Sequence, residues 1–125
     1  MIVVHSNEVE GYLTPEPEQR VLKVLISPSQ QGEVQGLSLG MTILEPGKSS
    51  SWHSHDVACE TWIIVAGHGD VQIGEERRPV EPETVVFIPP KVNHQIDNTG
   101  KETLRMFWIY TPPGAEKAVL EMTQR

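Results

Sequence analysis

The sequence predicts an all-β barrel or sandwich, and three observations carry that reading. Glycine and proline turn signals recur at short intervals. The runs between them are rich in β-branched and aromatic residues. Many short strands at spacings of roughly eight to twelve residues are the signature of a closed or two-layered β architecture. No internal repeat, low-complexity tract or linker interrupts the pattern. The 125 residues therefore form one domain, 1–125, long enough to bury a core without a disulfide.

Taken in order, RVLKVLI (20–26) reads as the first strand, while Pro15 and Pro17 keep the segment before it extended or irregular. LSLGMTILE (37–45) follows, closed by Pro46-Gly47. TWIIVA (61–66) and DVQIG (70–74) flank Gly67-His68-Gly69, which reads as a hairpin-like turn. After the turn signals Gly74-Glu75-Glu76 and Pro82 come TVVFI (84–88), HQID (94–97) and ETLRMFWIY (102–110), with Pro89-Pro90 and Thr99-Gly100 between them. Gly114 to Met122 has good helix formers after a Pro-Pro-Gly opening and predicts one short C-terminal helix.

Charge narrows the partners. Seventeen acidic against ten basic residues give a formal charge of −7. Nucleic-acid affinity rests on Lys and Arg neutralising phosphates, so a small molecule is the expected partner and nucleic acid is not. No run approaches the roughly 20 apolar residues that span a bilayer, so no membrane is expected. One cysteine, Cys59, and a start without a basic n-region point to a cytoplasmic protein.

The chemistry concentrates in GKSSSWHSHDVACETWIIVAG (47–67). In extended chain, residues i and i+2 share a face, so His53 and His55 project into one space. Glu60 would face away on an unbroken strand, but Asp56 to Cys59 reads as a loop, and a reversal there turns Glu60 back toward the imidazoles. Two histidines and a carboxylate suit a divalent transition metal with positions left open. The bland alternative is a solvated pair beside Ser50, Ser51 and Ser54. Against it stands the apolar strand that begins right after Glu60, where an unpaired carboxylate is costly. His94 opens a later strand, and in a barrel it can complete a set of three histidines and one glutamate.

These residues carry a family resemblance. Gly47, His53, His55, Glu60 and Gly67 fit Gly-x5-His-x-His-x4-Glu-x6-Gly, which resembles the first motif of the cupin superfamily. Pro89, His94 and Asn98 match part of the second motif, Gly-x5-Pro-x-Gly-x2-His-x3-Asn, whose two glycines are Glu83 and Lys91 here. The resemblance spans about residues 36–110. It implies a cupin-like jelly-roll β-barrel with one divalent transition metal per chain on His53, His55, Glu60 and His94. It leaves Fe, Mn, Ni, Zn and Cu open. It also implies a homodimer with the N-terminal strands, within residues 1–30, in contact with the partner. Without the second-motif glycines, the left-handed backbone position falls to Asn93 or the turn type changes, and either change could rotate His94.

Other residues are read as scaffold. Cys59 is expected to be a small buried hydrophobe, His68 a solvated turn residue, and His5 has no partner motif. Trp52, Trp62 and Trp108 are expected in the core or at a dimer contact. Trp62, Ile64 and either Met106 or Phe107 are expected to line a mainly apolar pocket. The resulting expectation is a metal-dependent, dioxygenase-like enzyme acting on a small organic molecule. A non-catalytic metal- or ligand-binding module, and a decarboxylase, lyase or isomerase, stand as alternatives.

Overall fold

The computed structural model describes residues 1–123. Its strands are β1 (Tyr12–Leu13), β2 (Val21–Ile26), β3 (Ser38–Leu44), β4 (Cys59–Ala66), β5 (Gly69–Ile73), β6 (Glu76–Val80), β7 (Val85–Ile88), β8 (His94–Asp97) and β9 (Leu104–Thr111). One short helix, α1 (Lys117–Thr123), follows them. The strands form two antiparallel sheets, in the orders β1-β2-β3-β9-β4-β7 and β6-β5-β8. Residues 47–53 run along the free side of β8, with Ser50 N–H donating to the Ile96 carbonyl and a bridge between His53 and His94. The result is the expected jelly-roll barrel. Among the described residues no helix is long and apolar enough to cross a membrane.

Alternation places the core. Along β4, buried Glu60, Trp62 and Ile64 alternate with less buried Thr61 and Ile63, and β9 repeats the pattern with Leu104, Met106 and Trp108. Register sets Trp62 opposite Trp108 and Ile64 opposite Met106. From the other sheet Val71, Val80 and Ile96 close on them. The inner face of β3 must admit the Trp108 indole, and a side chain at Gly40 would overlap its ring and the Lys23 carbonyl.

Four expectations need correction. GHGD is not a hairpin: β4 and β5 belong to different sheets, and Gly67 (φ 83°) turns the chain from one to the other. There Leu104 Cα would lie 2.7 Å from an added Cβ. β6 was not anticipated, because Glu76, Arg77, Arg78 and Pro79 look like loop. It stands at the edge of the small sheet, where charges and a proline are tolerated. Trp52 is 44% exposed, so of its two expected places the core is excluded. The left-handed position passes neither to Asn93 nor to another turn type. Lys91 (φ 67°) and Glu83 (φ 74°) themselves occupy it.

Lys91 is tied to the histidine segment before β4, and Glu83 to β4 itself. Lys91 N–H donates to the His55 carbonyl at 2.6 Å, and Glu83 N–H to that of Ile64 at 2.8 Å. A side chain at such φ costs on the order of 1 kcal/mol, part of which glycine returns through unfolded-state entropy. Lys91→Gly and Glu83→Gly should therefore each raise stability by about 0.5 kcal/mol. Urea unfolding checks this as a higher midpoint with an unchanged slope. A lowered midpoint in either variant contradicts it.

Candidate metal centre

Four side chains from three segments meet inside the barrel. His53 and His55 come from the extended segment before β4, Glu60 from the inner face of β4, and His94 from the start of β8. The pairing of His53 with His94 aligns the backbones: His94 N–H donates to the His53 carbonyl at 2.8 Å and His53 N–H to that of His94 at 3.3 Å. Ring centroids lie 4.5 Å apart for His53 and His94, and 5.0 Å apart for His53 and His55. One donor atom from each residue falls within 4.8 Å of every other. The segment 51–55 is extended rather than a regular strand, but the i, i+2 projection survives.

Hydrogen bonds on the far side of two rings fix which nitrogen faces inward. His94 Nδ1 lies 2.9 Å from the Val92 carbonyl, and His53 Nδ1 lies 3.0 Å from the Ser51 carbonyl. A carbonyl only accepts, so each Nδ1 carries the proton and each Nε2 keeps its lone pair. Glu60 is 4% exposed and His94 1%. Glu60 Oε1 lies 3.0 Å from His94 Nε2 and 3.3 Å from His55 Nε2. Those contacts are short, yet none has hydrogen-bond geometry, and all three atoms are buried without a partner. Buried polar atoms left unpaired are costly. Lone pairs aimed at a shared centre, not at one another, fit a divalent cation such as zinc, iron or manganese.

The second carboxylate oxygen, Glu60 Oε2, accepts from Trp62 Nε1 at 2.8 Å. This holds the acid in one rotamer and places Trp62 at the site, as its strand parity predicts. A cavity of about 50 Å³ opens beside the donors. Leu22, Trp62, Met106, Trp108 and Val119 form its apolar wall. Of the expected lining, Ile64 is buried behind it and Phe107 faces the outside of the sheet. Two polar residues of this wall, Arg20 and Tyr110, were missed. Tyr110 shares β9 parity with Met106 and Trp108, a signal that could have found it. Arg20 precedes the first motif by too far for spacing to reveal it. Asn98 serves the scaffold, its Nδ2 donating to the Leu44 and Glu102 carbonyls. Cys59 is half-buried, while His68 is exposed and His5 caps a 3-10 turn away from the site.

The electrostatics follow from burial. Burial pushes the Glu60 carboxyl up, but its contacts with His55 and His94 and the bond from Trp62 outweigh that and bring it to about 2. Burial, then the neighbouring His94, lowers the His53 imidazole. Burial, then the charges of Glu60 and Glu116, raises Tyr110 well above its ordinary value, so it remains a phenol that can donate.

Both shifts make the metal-free protein acid-labile. The unfolded chain takes up the His53 proton near pH 6.5 and the Glu60 proton near 4.5, each before the folded chain does. Stability is therefore complete above pH 6.5 and falls as the pH drops, the Glu60 part being lost between about 4.5 and about 2. Denaturant titrations of metal-free protein from pH 7 to 3 should show the decline, with the lower limb flattened in Glu60→Gln. An unfolding free energy constant over that range contradicts it.

Comparison with known proteins agrees with this geometry. A protein of Methanocaldococcus jannaschii is 26% identical over 113 residues, covering 90% of this chain and 88% of its own. The glucose-6-phosphate isomerase of Pyrococcus horikoshii is 30% identical over 130 aligned positions, covering 87% and 69%. A crystal structure from Thermotoga maritima, described as a predicted oxalate decarboxylase, superposes with a TM-score of 0.79 at 22% identity. It covers 90% of this chain and 100% of that one. That likeness speaks for the fold alone. The cupin domain family model matches residues 40–110, more than half of the chain and all four donors, so this chain belongs to the cupin family.

Proposed function

We propose that this chain is a single-metal enzyme, with His53, His55, Glu60 and His94 holding one divalent cation and a small organic molecule bound beside it. The observation that carries this reading is the trio of buried, unpartnered donor atoms, His55 Nε2, Glu60 Oε1 and His94 Nε2, with a half-open cavity that reaches Glu60 and His53. A scaffold histidine cluster would pair those atoms. When bound, the cation supplies Lewis acidity or, if iron or manganese, redox chemistry. The chain's own residues do the rest. Carbonyls of Val92 and Ser51 keep two Nε2 lone pairs inward, Trp62 orients the carboxylate, and the apolar wall excludes bulk water.

Within that class, oxygenation of a small molecule remains the first reaction, supported by the apolar lining. The names of the relatives support a second reading, decarboxylation or isomerisation with the cation as Lewis acid. Cavity size decides between substrates. At about 50 Å³ it falls far below the roughly 300–1,000 Å³ of ordinary small-molecule sites, so a sugar phosphate is disfavoured and a smaller compound fits.

Elemental analysis of protein purified without added metal should find about one transition metal per chain. His53→Ala, Glu60→Ala and His94→Ala should each lower occupancy by about tenfold or more. Equal metal in wild type and all variants overturns the assignment. Occupancy should also fall as the pH drops, because coordination needs neutral imidazoles. Oxygen uptake by iron-loaded protein with small phenols and keto acids tests the reaction. Binding of those compounds without any turnover favours the non-catalytic module.

A further inference from the structure

Arg20 is the one lysine or arginine among the residues that line the cavity. It sits just before β2, where the loop is clamped: Arg20 N–H donates to the Thr14 hydroxyl at 2.9 Å, and Thr14 N–H donates to the Arg20 carbonyl at 2.9 Å. Its side chain is held as well. Nη1 donates to the Glu18 carbonyl at 2.8 Å, and Nη2 lies 3.4 Å from Ser51 Oγ, which in turn lies 2.9 Å from His53 Nδ1. The guanidinium is half-buried, and burial lowers its pKa from the ordinary value. Yet among the described residues no carboxylate stands within 4.0 Å of it, in a chain with seventeen acids and ten bases. Glu18 and Glu60 act on it only from farther away, and a partly desolvated cation without a direct ion-pair partner is costly unless something else supplies one.

Tyr110, across the same cavity, presents a second donor, and no acceptor among the described residues takes its hydroxyl. The charge balance points the same way. A divalent cation with three neutral imidazoles and one carboxylate leaves an excess positive charge, to which Arg20 adds another. A neutral ligand would leave both uncompensated.

We propose that Arg20 is the anion anchor of this site, and that the ligand is a small carboxylic acid with one end at the metal position and its carboxylate against the guanidinium and the Tyr110 hydroxyl. This rests on the metal-centre reading for one end of the ligand only. The cavity limits the acid to a few heavy atoms, as in a 2-oxo or 2-hydroxy acid. Arginine presents a planar fork that matches a carboxylate, so it specifies geometry as well as charge.

The test uses pyruvate, its uncharged methyl ester and inorganic phosphate. Titrated into cobalt-loaded protein and read by the visible cobalt bands, pyruvate should bind at least about tenfold more tightly than the ester. Arg20→Met should weaken pyruvate by about 10–100-fold and leave the ester and the cobalt stoichiometry unchanged. Arg20→Lys should restore part of the loss. In metal-free, ¹⁵N-labelled protein the Arg20 Nε–H resonance should move with pyruvate and not with the ester. Equal binding of acid and ester, or a silent Arg20 resonance, overturns the anchor. Arg20-dependent binding of phosphate tighter than that of pyruvate overturns the carboxylate assignment. If cobalt fails to bind while the resonance still responds, the metal reading falls and the anchor stands.

Discussion

The structure depends on one buried carboxylate. Glu60 sits on the inner face of the central strand β4, between Trp62 and the imidazoles of His55 and His94, almost without solvent. Desolvating that charge is expensive unless donors or a cation converge on it. Trp62 supplies one hydrogen bond to Oε2. Oε1 is left facing two ring nitrogens that do not bond to it properly. The barrel therefore carries an unsatisfied centre that a cation would satisfy, and fold and site are one electrostatic problem.

Much of this was legible from residue spacing. Alternation along 61–66 turns Trp62 inward by parity with Glu60, whereas the choice between Met106 and Phe107 on 102–110 needed the register of β9 with β4. The i, i+2 rule brings His53 and His55 together even though their segment is not a regular strand. What spacing could not supply is the partnership across sheets. The antiparallel bridge between His53 and His94 joins residues 41 positions apart. The barrel reading allowed His94 to join the set, and the family resemblance pointed to it. β6 was invisible because Arg77, Arg78 and Pro79 read as loop, and only its place at a sheet edge makes those residues acceptable in a strand.

Lys91 shows how tertiary contacts override local preference. Its backbone takes a conformation that glycine favours, at a cost of about 1 kcal/mol. The N–H released by that geometry meets the His55 carbonyl, so the strained turn and the histidine segment hold each other in place. A local rule therefore misjudged where the left-handed residue sits. The pattern position was right and the residue type alone was unusual. Arg20 is the opposite case, a residue with no motif at all, brought to the cavity by the Thr14 clamp and the pairing of β2 with β3.

Cavity size, on which the substrate argument turns, is set by the far end of the chain. Glu116 is 1% exposed, and its Oε1 accepts from the Ser38 hydroxyl at 2.7 Å and from Gly114 N–H at 2.6 Å. Ser38 pairs in register with Tyr110, so this buried acid fastens the C-terminal segment next to the strand that carries a cavity donor. From there the chain enters α1, which packs on β1 and β2 and brings Val119 over the opening. A helix of seven residues has little stability alone, so its position must come from the Glu116 tether and from packing. Two buried acids thus divide the work. Glu60 gathers the donors at the centre, and Glu116 fastens the segment that brings Val119 to the cavity wall.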